Sequence, residues 1–258
     1  MLYPRIIPVL LVKDRGLVKT VKFKDAKYVG DPLNAVRIFN EQEADELTVL
    51  DIDASVNGRE PDYKMIENLA TECRMPLCYG GGIKTLEQAK RILGLGVEKV
   101  ALSSVAFEKP ELITELASQV GSQSVVVVLD AKKKMFGDRY DCLIHNGEKS
   151  MKVCPVEFAE KAVELGAGEI VINSIDNDGT MKGYDLQLVK KITSSVSVPV
   201  TAMGGAGSLD DLAALIRQEH IIGAAAGSLF VFKGKYRAVL INYPKKEEKT
   251  AVIESSNR

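Results

Sequence analysis

Residues 76–104 read PLCYGGGIKTLEQAKRILGLGVEKVALSS, and residues 199–228 repeat this organisation as PVTAMGGAGSLDDLAALIRQEHIIGAAAGS. In each stretch an apolar run ends in glycines, an amphipathic segment follows, and a second apolar run ends in small residues. The glycines of the two stretches are offset by 124 residues, and ELTVL at 46–50 and EIVIN at 169–173 are offset by 123. The repeat predicts two homologous halves within one fold.

Short apolar runs alternate with amphipathic segments along most of the chain. Continuously apolar runs are typical of strands that are covered on both faces, and their alternation with helices predicts right-handed βαβ units. The eight runs span residues 5–12, 46–52, 76–80, 99–104, 124–130, 169–174, 199–204 and 221–227. Together with the repeat, they predict an α/β fold, a (β/α)8 TIM barrel with an internal two-fold half-barrel repeat. A doubly wound open sheet is the alternative on the pattern alone, and the repeat argues against it.

Length and composition fit one globular barrel. The chain has 258 residues, 46% of them hydrophobic, and a formal net charge of −1. We expect a single barrel over residues 1–243 and a loosely ordered tail over residues 244–258. The near-neutral charge argues against nucleic-acid binding, and no apolar run is long enough for a membrane helix. Four cysteines without metal-ligand spacing favour free thiols in a reducing cytoplasm, and we expect neither metal nor cofactor.

Glycine and serine residues follow several predicted strands, at the end of the barrel where active sites lie. Glycine lets backbone N–H groups approach a ligand closely, and the helix that follows adds partial positive charge. Because the pattern occurs in both halves, we predict two phosphate sites across the mouth, for an anionic ligand with a phosphate at each end. Ordinary tight turns are the alternative. The predicted phosphate-binding residues are Gly81, Gly82, Ser103, Ser104, Asp178, Gly179, Gly204, Gly205, Gly227 and Ser228.

A basic loop follows the first predicted strand. Between residues 13 and 28, six Lys and Arg residues stand against two Asp residues. Such a loop can close over an anionic ligand, and Lys19 is the best placed cation, so we include it among the predicted phosphate-binding residues. An ordinary solvated loop is the alternative.

Charged residues mark both ends of the predicted strands. Asp130 follows a strongly apolar strand, where burial raises the pKa of a carboxyl group and suits it to general acid–base catalysis. Helix capping or an ion pair is the alternative for Asp130.

At the opposite end of the predicted strands, two positive and two negative residues could form a ring that plugs or gates the barrel axis, with scattered surface charges as the alternative. The ring residues are Arg5, Glu46, Lys99 and Glu169.

Residues 1 to about 232 resemble the HisF family, the barrel-shaped cyclase subunits of imidazole glycerol phosphate synthase. The resemblance implies a (β/α)8 barrel, a substrate with two phosphates, and ammonia that travels along the barrel axis from a glutaminase docked on the barrel bottom. It also implies a role in a lyase-type enzyme. The matching motifs are RIIPVLLVKD, GDP at 30–32, DELTVLDIDAS, GGGIKTLE, GSQSVVVVLDAK, GAGEIVINSIDNDGT, MKGYD and GGAG.

The resemblance also implies roles for single residues. Asp130 matches one of the family's two catalytic aspartates, Lys19 matches its mobile-loop lysine, and Glu98 lies at the surface that faces the glutaminase. The four residues of the predicted ring match the family's ammonia gate: Arg5, Glu46, Lys99 and Glu169.

The chain departs from the family pattern at the mouth. Leu11 stands where the family has its second catalytic aspartate. Ring closure needs proton transfers on both sides of the closing ring, and leucine neither gives nor accepts a proton. Loss of one such group reduces a rate by at least about 100-fold. In addition, Ser103 replaces an Asn, Met203 replaces a small polar residue, and Asn173 replaces a Thr.

The start of the chain and RAVLINYP at residues 237–244 are similar to a paralogous HisF-like branch. Its members occur with a HisH-like glutaminase and an ATP-dependent amidotransferase that installs acetamidino groups on surface-glycan sugars. We therefore expect a HisF-like synthase subunit of a glutamine amidotransferase that passes ammonia through the barrel for acetamidino-group formation on a nucleotide-sugar of a surface polysaccharide. An authentic cyclase subunit of histidine biosynthesis and a non-catalytic glutaminase-activating scaffold are the alternatives.

Overall fold

A computed structural model of the chain describes residues 3–135, 137–234 and 236–254. Within these ranges, eight parallel strands close into a barrel, and the pairing of the fifth barrel strand with the sixth completes the ring. The predicted (β/α)8 barrel is confirmed, because an open sheet would leave that pairing unmade. The barrel strands are β1 (Arg5–Lys13), β4 (Leu47–Asp51), β5 (Leu77–Gly80), β6 (Lys99–Leu102), β7 (Val125–Lys133), β10 (Glu169–Ser174), β11 (Val200–Met203) and β12 (Gly223–Ala226).

Helices cover the outside of the barrel. The helices that follow β5 and β11 both begin with a capping box. The hydroxyl of Thr85 or Ser208 accepts a hydrogen bond from the backbone N–H three residues later, and the side chain of that later residue accepts one from the backbone N–H of Thr85 or Ser208. The two boxes lie at equivalent positions of the repeat. The helices are α1 (Pro32–Glu41), α2 (Tyr63–Glu72), α3 (Leu86–Gly94), α4 (Ser104–Glu108), α5 (Glu111–Val120), α6 (Pro155–Glu164), α7 (Leu186–Thr193), α8 (Leu209–Glu219), α9 (Ser228–Val231) and α10 (Lys246–Glu254), with a 3-10 turn at Ser122–Ser124.

The barrel strands are buried on both faces, which explains their continuous apolar sequences. Successive side chains point to opposite faces. In β1, Ile6 and Leu10 pack outward in the large core shared with the helices, whereas Ile7 and Val9 pack inward against Ala225. The barrel interior is therefore a packed apolar core rather than an open pore. None of the helices in the described ranges is long and apolar enough to cross a membrane.

Two antiparallel hairpins extend barrel strands above the mouth, and the sequence analysis did not predict them. β2 (Gly16–Val21) and β3 (Lys24–Gly30) continue from β1, and β8 (Tyr140–Ile144) and β9 (Lys149–Ser150) continue from β7. Each hairpin follows the first strand of its half, so the insertions also obey the repeat. The segment expected to be a basic loop is thus mostly a pair of strands. A third, short hairpin is formed by β13 (Phe232–Lys233) and β14 (Ala238–Val239).

The tail is more ordered than the sequence analysis predicted. Residues 246–254 form α10, in which Val252 is buried, and just before it the hydroxyl of buried Tyr243 donates to the Ile6 carbonyl at 2.8 Å. Lys249 Nζ reaches the carboxylate of Asp45 at 2.9 Å. The expectation of a loosely ordered tail is therefore wrong for residues 246–254, because a few anchors hold a segment that is mostly charged. Residues 255–258 lie outside the described residues.

Candidate functional site

A cavity of about 150 Å³ opens at the carboxyl ends of the barrel strands. The structure brings Asp130, Leu11 and every predicted phosphate-binding residue to its wall. Their binding of phosphate stays a prediction. The wall residues already named from the sequence are Leu11, Lys19, Gly81, Gly82, Ser103, Ser104, Asp130, Asn173, Asp178, Gly179, Met203, Gly204, Gly205, Gly227 and Ser228.

Asp130 is the best supported proton-transfer group at this mouth. Its Oδ1 accepts a hydrogen bond from Asn173 Nδ2 at 2.8 Å, and its Oδ2 accepts one from Ser103 Oγ at 3.3 Å. Burial raises the pKa of Asp130 to about 6, although these two hydrogen bonds favour the ionised form. A carboxyl group with this pKa can both accept and donate a proton near neutral pH. None of its hydrogen bonds caps a helix, so the capping alternative does not describe this residue.

Leu11 occupies the corresponding place on the other half of the mouth. It packs with Leu50 and Met203 against the apolar interior. In register, Leu11 pairs with Leu50 as Asp130 pairs with Asn173. Since β1 and β4 correspond to β7 and β10 in the repeat, one half of the mouth carries a Leu–Leu pair where the other carries an Asp–Asn pair.

The glycines at the strand ends serve close backbone packing. Gly81 has a φ of +121°, and a Cβ atom there would collide with the backbone of Asp51. Gly205 has a φ of +111°, and a Cβ atom there would collide with the carbonyl of Gly183. The N–H group of Gly82 donates to Ser55 Oγ at 3.1 Å. The tight-turn interpretation therefore holds for these positions, and it is compatible with a phosphate cradle.

Lys19 lies on the first hairpin, not on a solvated loop. It is buried, and its Nζ donates to the Val9 carbonyl at 2.6 Å, beside Gly227. Burial lowers the pKa of Lys19 to about 8, although the nearby Asp178 carboxylate favours the charged form. The lysine therefore already faces the strand-end turn to which a phosphate was predicted to bind.

Asp178 and Gly179 also hold the first hairpin in place. The Asp178 carboxylate accepts hydrogen bonds from Thr20 Oγ1 at 2.8 Å and from Phe23 N at 3.2 Å, and its carbonyl accepts one from Lys22 N at 3.0 Å. A Cβ atom on Gly179 would collide with the Thr20 carbonyl. These contacts dock the hairpin over the mouth, and the negative charge of the Asp178 carboxylate would oppose a phosphate placed beside it. The binding of phosphate by Asp178 and Gly179 stays a prediction.

The predicted ring of four charges exists at the opposite end of the barrel. Arg5 contacts Glu46, and its Nη2 lies 2.8 Å from Glu169 Oε1. Lys99 Nζ lies 2.9 Å from Glu46 Oε1 and 2.8 Å from Glu169 Oε2. Although burial opposes ionisation, the two cations hold the pKa of Glu169 below its usual value. The ring is therefore a closed cycle of alternating charges, and the alternative of scattered surface charges is wrong.

Glu98, predicted to face a partner, is exposed at this same end of the barrel. Its Oε2 accepts a hydrogen bond from the backbone N–H of Leu77 at 2.6 Å. The side chain thus caps the start of β5 and leaves one carboxylate oxygen toward the surface.

Several cavity residues were not singled out by the sequence analysis. His145 and Asn146 form the turn of the second hairpin at positive φ, and the backbone N–H of His145 donates to Ser104 Oγ at 3.3 Å. Phe23 reaches the cavity from the first hairpin. The signal that could have found the turn is Asn146-Gly147, a common hairpin dipeptide.

Asp51, at the end of β4, also borders the cavity. Its carboxylate accepts a hydrogen bond from the backbone N–H of Ala54, and burial together with the neighbouring Asp53 raises the pKa of Asp51 to about 7.

The described residues contain no group of three or more His, Cys, Asp and Glu side chains arranged to hold a metal ion. The four cysteines are free thiols.

Comparison with known proteins connects this barrel to a family. A family model described as "Histidine biosynthesis protein" matches residues 5–237. A Vibrio vulnificus protein named "Putative imidazole glycerol phosphate synthase subunit hisF3" is 66% identical over 254 residues, which are 98% of either chain. A Leptospira interrogans HisF protein with a similar name is 60% identical over 98% of this chain and 100% of its own length. A Pseudomonas aeruginosa hisF2 protein is 56% identical over 93% and 95% of the two chains.

Proposed function

The chain belongs to the histidine biosynthesis protein family and is HisF-like, and from this membership we propose that it is the synthase subunit of a glutamine amidotransferase. In this proposal a HisH-like glutaminase docks on the barrel bottom near Glu98 and supplies ammonia. The ammonia passes the ring of Arg5, Glu46, Lys99 and Glu169 and leaves at the mouth, where this subunit does not close an imidazole ring.

The observation that carries the proposal is the environment of Leu11. Its side chain completes an apolar surface with Leu50 and Met203, so the place that corresponds to Asp130 on this side of the mouth offers no group for proton transfer. Asp130 keeps two hydrogen-bond donors and a pKa near neutrality on the other side. Acid–base chemistry on both sides of a closing ring needs two such groups, so the mouth supports receipt of ammonia better than cyclisation.

The interior between ring and mouth supports transfer of a small neutral molecule. Behind the ring, the axis is lined by apolar side chains such as Ile7, Val126 and Val128. Moving an ion into such surroundings is costly, whereas a neutral ammonia molecule loses much less solvation. In this proposal the nitrogen first passes the charged ring at the bottom of the barrel. The apolar interior between the ring and the mouth then favours uncharged ammonia over ammonium.

For the destination of the nitrogen, we propose acetamidino-group formation on a nucleotide-sugar of surface polysaccharide in the cytoplasm, by an ATP-dependent sugar amidotransferase. The support is the similarity of residues 237–244 to the paralogous HisF-like branch. In the structure this segment runs from β14 to the buried Tyr243 anchor of the tail.

A direct assay separates this proposal from an authentic cyclase of histidine biosynthesis. The purified chain receives the bis-phosphorylated aminoimidazole ribonucleotide substrate with excess ammonium salt. We expect turnover at least about 100-fold below that of a HisF protein with an aspartate at the position of Leu11, and the Leu11→Asp variant should recover part of it. The matched control is Leu11→Asn, which is polar but transfers no proton. Turnover of the unaltered chain at the family's ordinary rate would contradict the proposal.

A second assay addresses the scaffold alternative. In the complex with its glutaminase, Lys99→Met should leave assembly intact but release ammonia to solvent instead of delivering it to the acceptor. The ratio of glutamine hydrolysed to product formed measures this uncoupling. A pure scaffold would keep the ratio unchanged.

A further inference from the structure

In the part of the chain that the structure describes, the side-chain amide oxygen of Asn173, next to Asp130, is an acceptor without a hydrogen-bond partner. Asn173 is only 4% exposed and lies in the cavity wall, and no donor within the described residues reaches its Oδ1. Its Nδ2 donates to the Asp130 carboxylate, which fixes the direction of the amide, since the reverse orientation would set two oxygens against each other. A buried acceptor without a donor is costly unless a ligand satisfies it.

The space in front of this oxygen is kept open by glycine. A Cβ atom on Gly204 would lie 3.0 Å from Asn173 Oδ1, and Gly204 also borders the cavity. Met203 pairs with Asn173 in register between β10 and β11. Its flexible, unbranched side chain can move aside for a small ligand.

The chemistry of the wall defines that ligand. Carboxylate and carbonyl oxygens accept hydrogen bonds, and Ser103 adds a hydroxyl that already donates to Asp130. The opposite wall is the Leu11–Leu50 pair, which offers neither donor nor acceptor. The ligand must therefore be small, carry hydrogen-bond donors, and balance a carboxylate charge.

We propose that Asp130 and Asn173 together bind an ammonium ion at the mouth of the barrel. Ammonium has donors in four directions and no acceptor, so it can satisfy the Asp130 carboxylate and Asn173 Oδ1 together. The inference rests on the proposed function, because it names the form in which the nitrogen is held where it leaves the barrel. Ammonia that has crossed the apolar interior takes up one proton from solvent water at the open mouth, which leaves a hydroxide ion in the solvent, and is then held as ammonium. It deepens that function by assigning Asn173, one of the positions that differ from the family pattern, a binding role.

The test measures binding to the chain alone. The methionine methyl groups are labelled with 13C, the Met203 signal is assigned with Met203→Leu, and ammonium chloride is titrated at constant ionic strength. We expect a saturable shift of the Met203 methyl signal. Asn173→Val and Asp130→Asn should each raise the Kd by at least about tenfold, since hydrogen bonds to charged groups are strong. Asn34→Val, on the exposed surface of α1, is the matched control and should not change it.

Two other cations make the result decisive. Tetramethylammonium has the same charge as ammonium but no N–H donor. Potassium is similar in size to ammonium but forms no directed hydrogen bonds, so neither cation should reproduce the shift. The inference is overturned if no saturable shift occurs, if potassium or tetramethylammonium gives the same Kd, or if Asn173→Val and Asp130→Asn both bind ammonium as the native chain does. Thermal unfolding of each variant confirms folding first, and the two variants serve as independent tests. Because no glutaminase or sugar is present, a failure here is distinct from a failure of the coupling assay.

Discussion

Replacing Lys99 by methionine tests the charged ring most directly. Lys99 Nζ lies 2.9 Å from Glu46 and 2.8 Å from Glu169, and the side chains of these two acids are only 6% and 7% exposed. Methionine matches the length of lysine but carries no charge. Arg5 alone would then face two nearly buried carboxylates, so one negative charge would be left without a counterion.

The expected cost follows from this geometry. Breaking a buried ion pair by removal of one partner costs about 3–5 kcal/mol. Lys99 is 18% exposed and Arg5 still contacts both acids, so water and the remaining guanidinium lower the cost. We expect Lys99→Met to reduce the free energy of unfolding by about 2–4 kcal/mol at pH 7. The depressed pKa of Glu169 stabilises the fold above the carboxyl's ordinary pKa of 4.5, and this contribution is lost as the pH falls through the lower folded value. The difference between native and variant should therefore shrink in acid.

Urea unfolding followed by circular dichroism measures this free energy. Lys64→Met is the matched control, because its pair with Glu67 is 75% and 50% exposed, and it should change stability by no more than about 0.5 kcal/mol. The double variant Lys99→Met/Glu46→Gln restores the charge balance and should recover about half of the loss. If Lys99→Met cost no more than Lys64→Met, the ring would not be the coupled, desolvated network described above.

Three further predictions concern other parts of the structure. As the pH rises from 4 to 7, the Asp130→Asn variant should become more stable relative to the native chain by up to about 3 kcal/mol. The reason is that ionisation of a carboxyl group whose pKa is raised from 3.8 to about 6 in the folded chain opposes folding. Urea titrations at several pH values measure this difference, and a difference that stays constant with pH would contradict the prediction. Gly205→Ala should destabilise the chain by at least about 3 kcal/mol in the same assay, whereas Gly94→Ala, in a helix with open space around it, should be neutral or stabilising. Tyr243→Phe should lower the unfolding free energy by about 1–3 kcal/mol because it leaves the Ile6 carbonyl without its donor, and an unchanged value would mean that the tail is not anchored there.

The barrel was predictable because its strands are covered on both faces. Continuous apolar sequence is then unavoidable, and a repeat offset of 123 to 124 residues adds the symmetry that an open sheet lacks. The hairpins escaped prediction because their strands lie outside the barrel. Residues Lys24–Gly30 are mostly exposed, and their strand is held by pairing with β2, which Asp178 anchors through Thr20, rather than by an apolar pattern.

The location of the site was predictable, but its internal contacts were not. Parallel strands bring their carboxyl ends together, so residues separated by up to 219 positions, such as Val9 and Ser228, border one cavity. In contrast, the partner of each side chain depends on three-dimensional position. The sequence does not reveal that Asp178 anchors a hairpin, nor that Asp130 faces the mouth with two hydrogen-bond donors.

The two-fold repeat gives the substitution at position 11 a wider meaning. A symmetric barrel could present the same chemistry on both sides of its mouth, with donors and acids on β1–β4 as on β7–β10. Here one side carries Leu11 against Leu50 and the other carries Asp130 against Asn173. The charged ring below keeps both of its acids and both of its cations. Loss of the acid–amide pair on one wall, beside a complete ring, is the pattern expected when a barrel still has to receive nitrogen but no longer has to transfer protons from both of these positions.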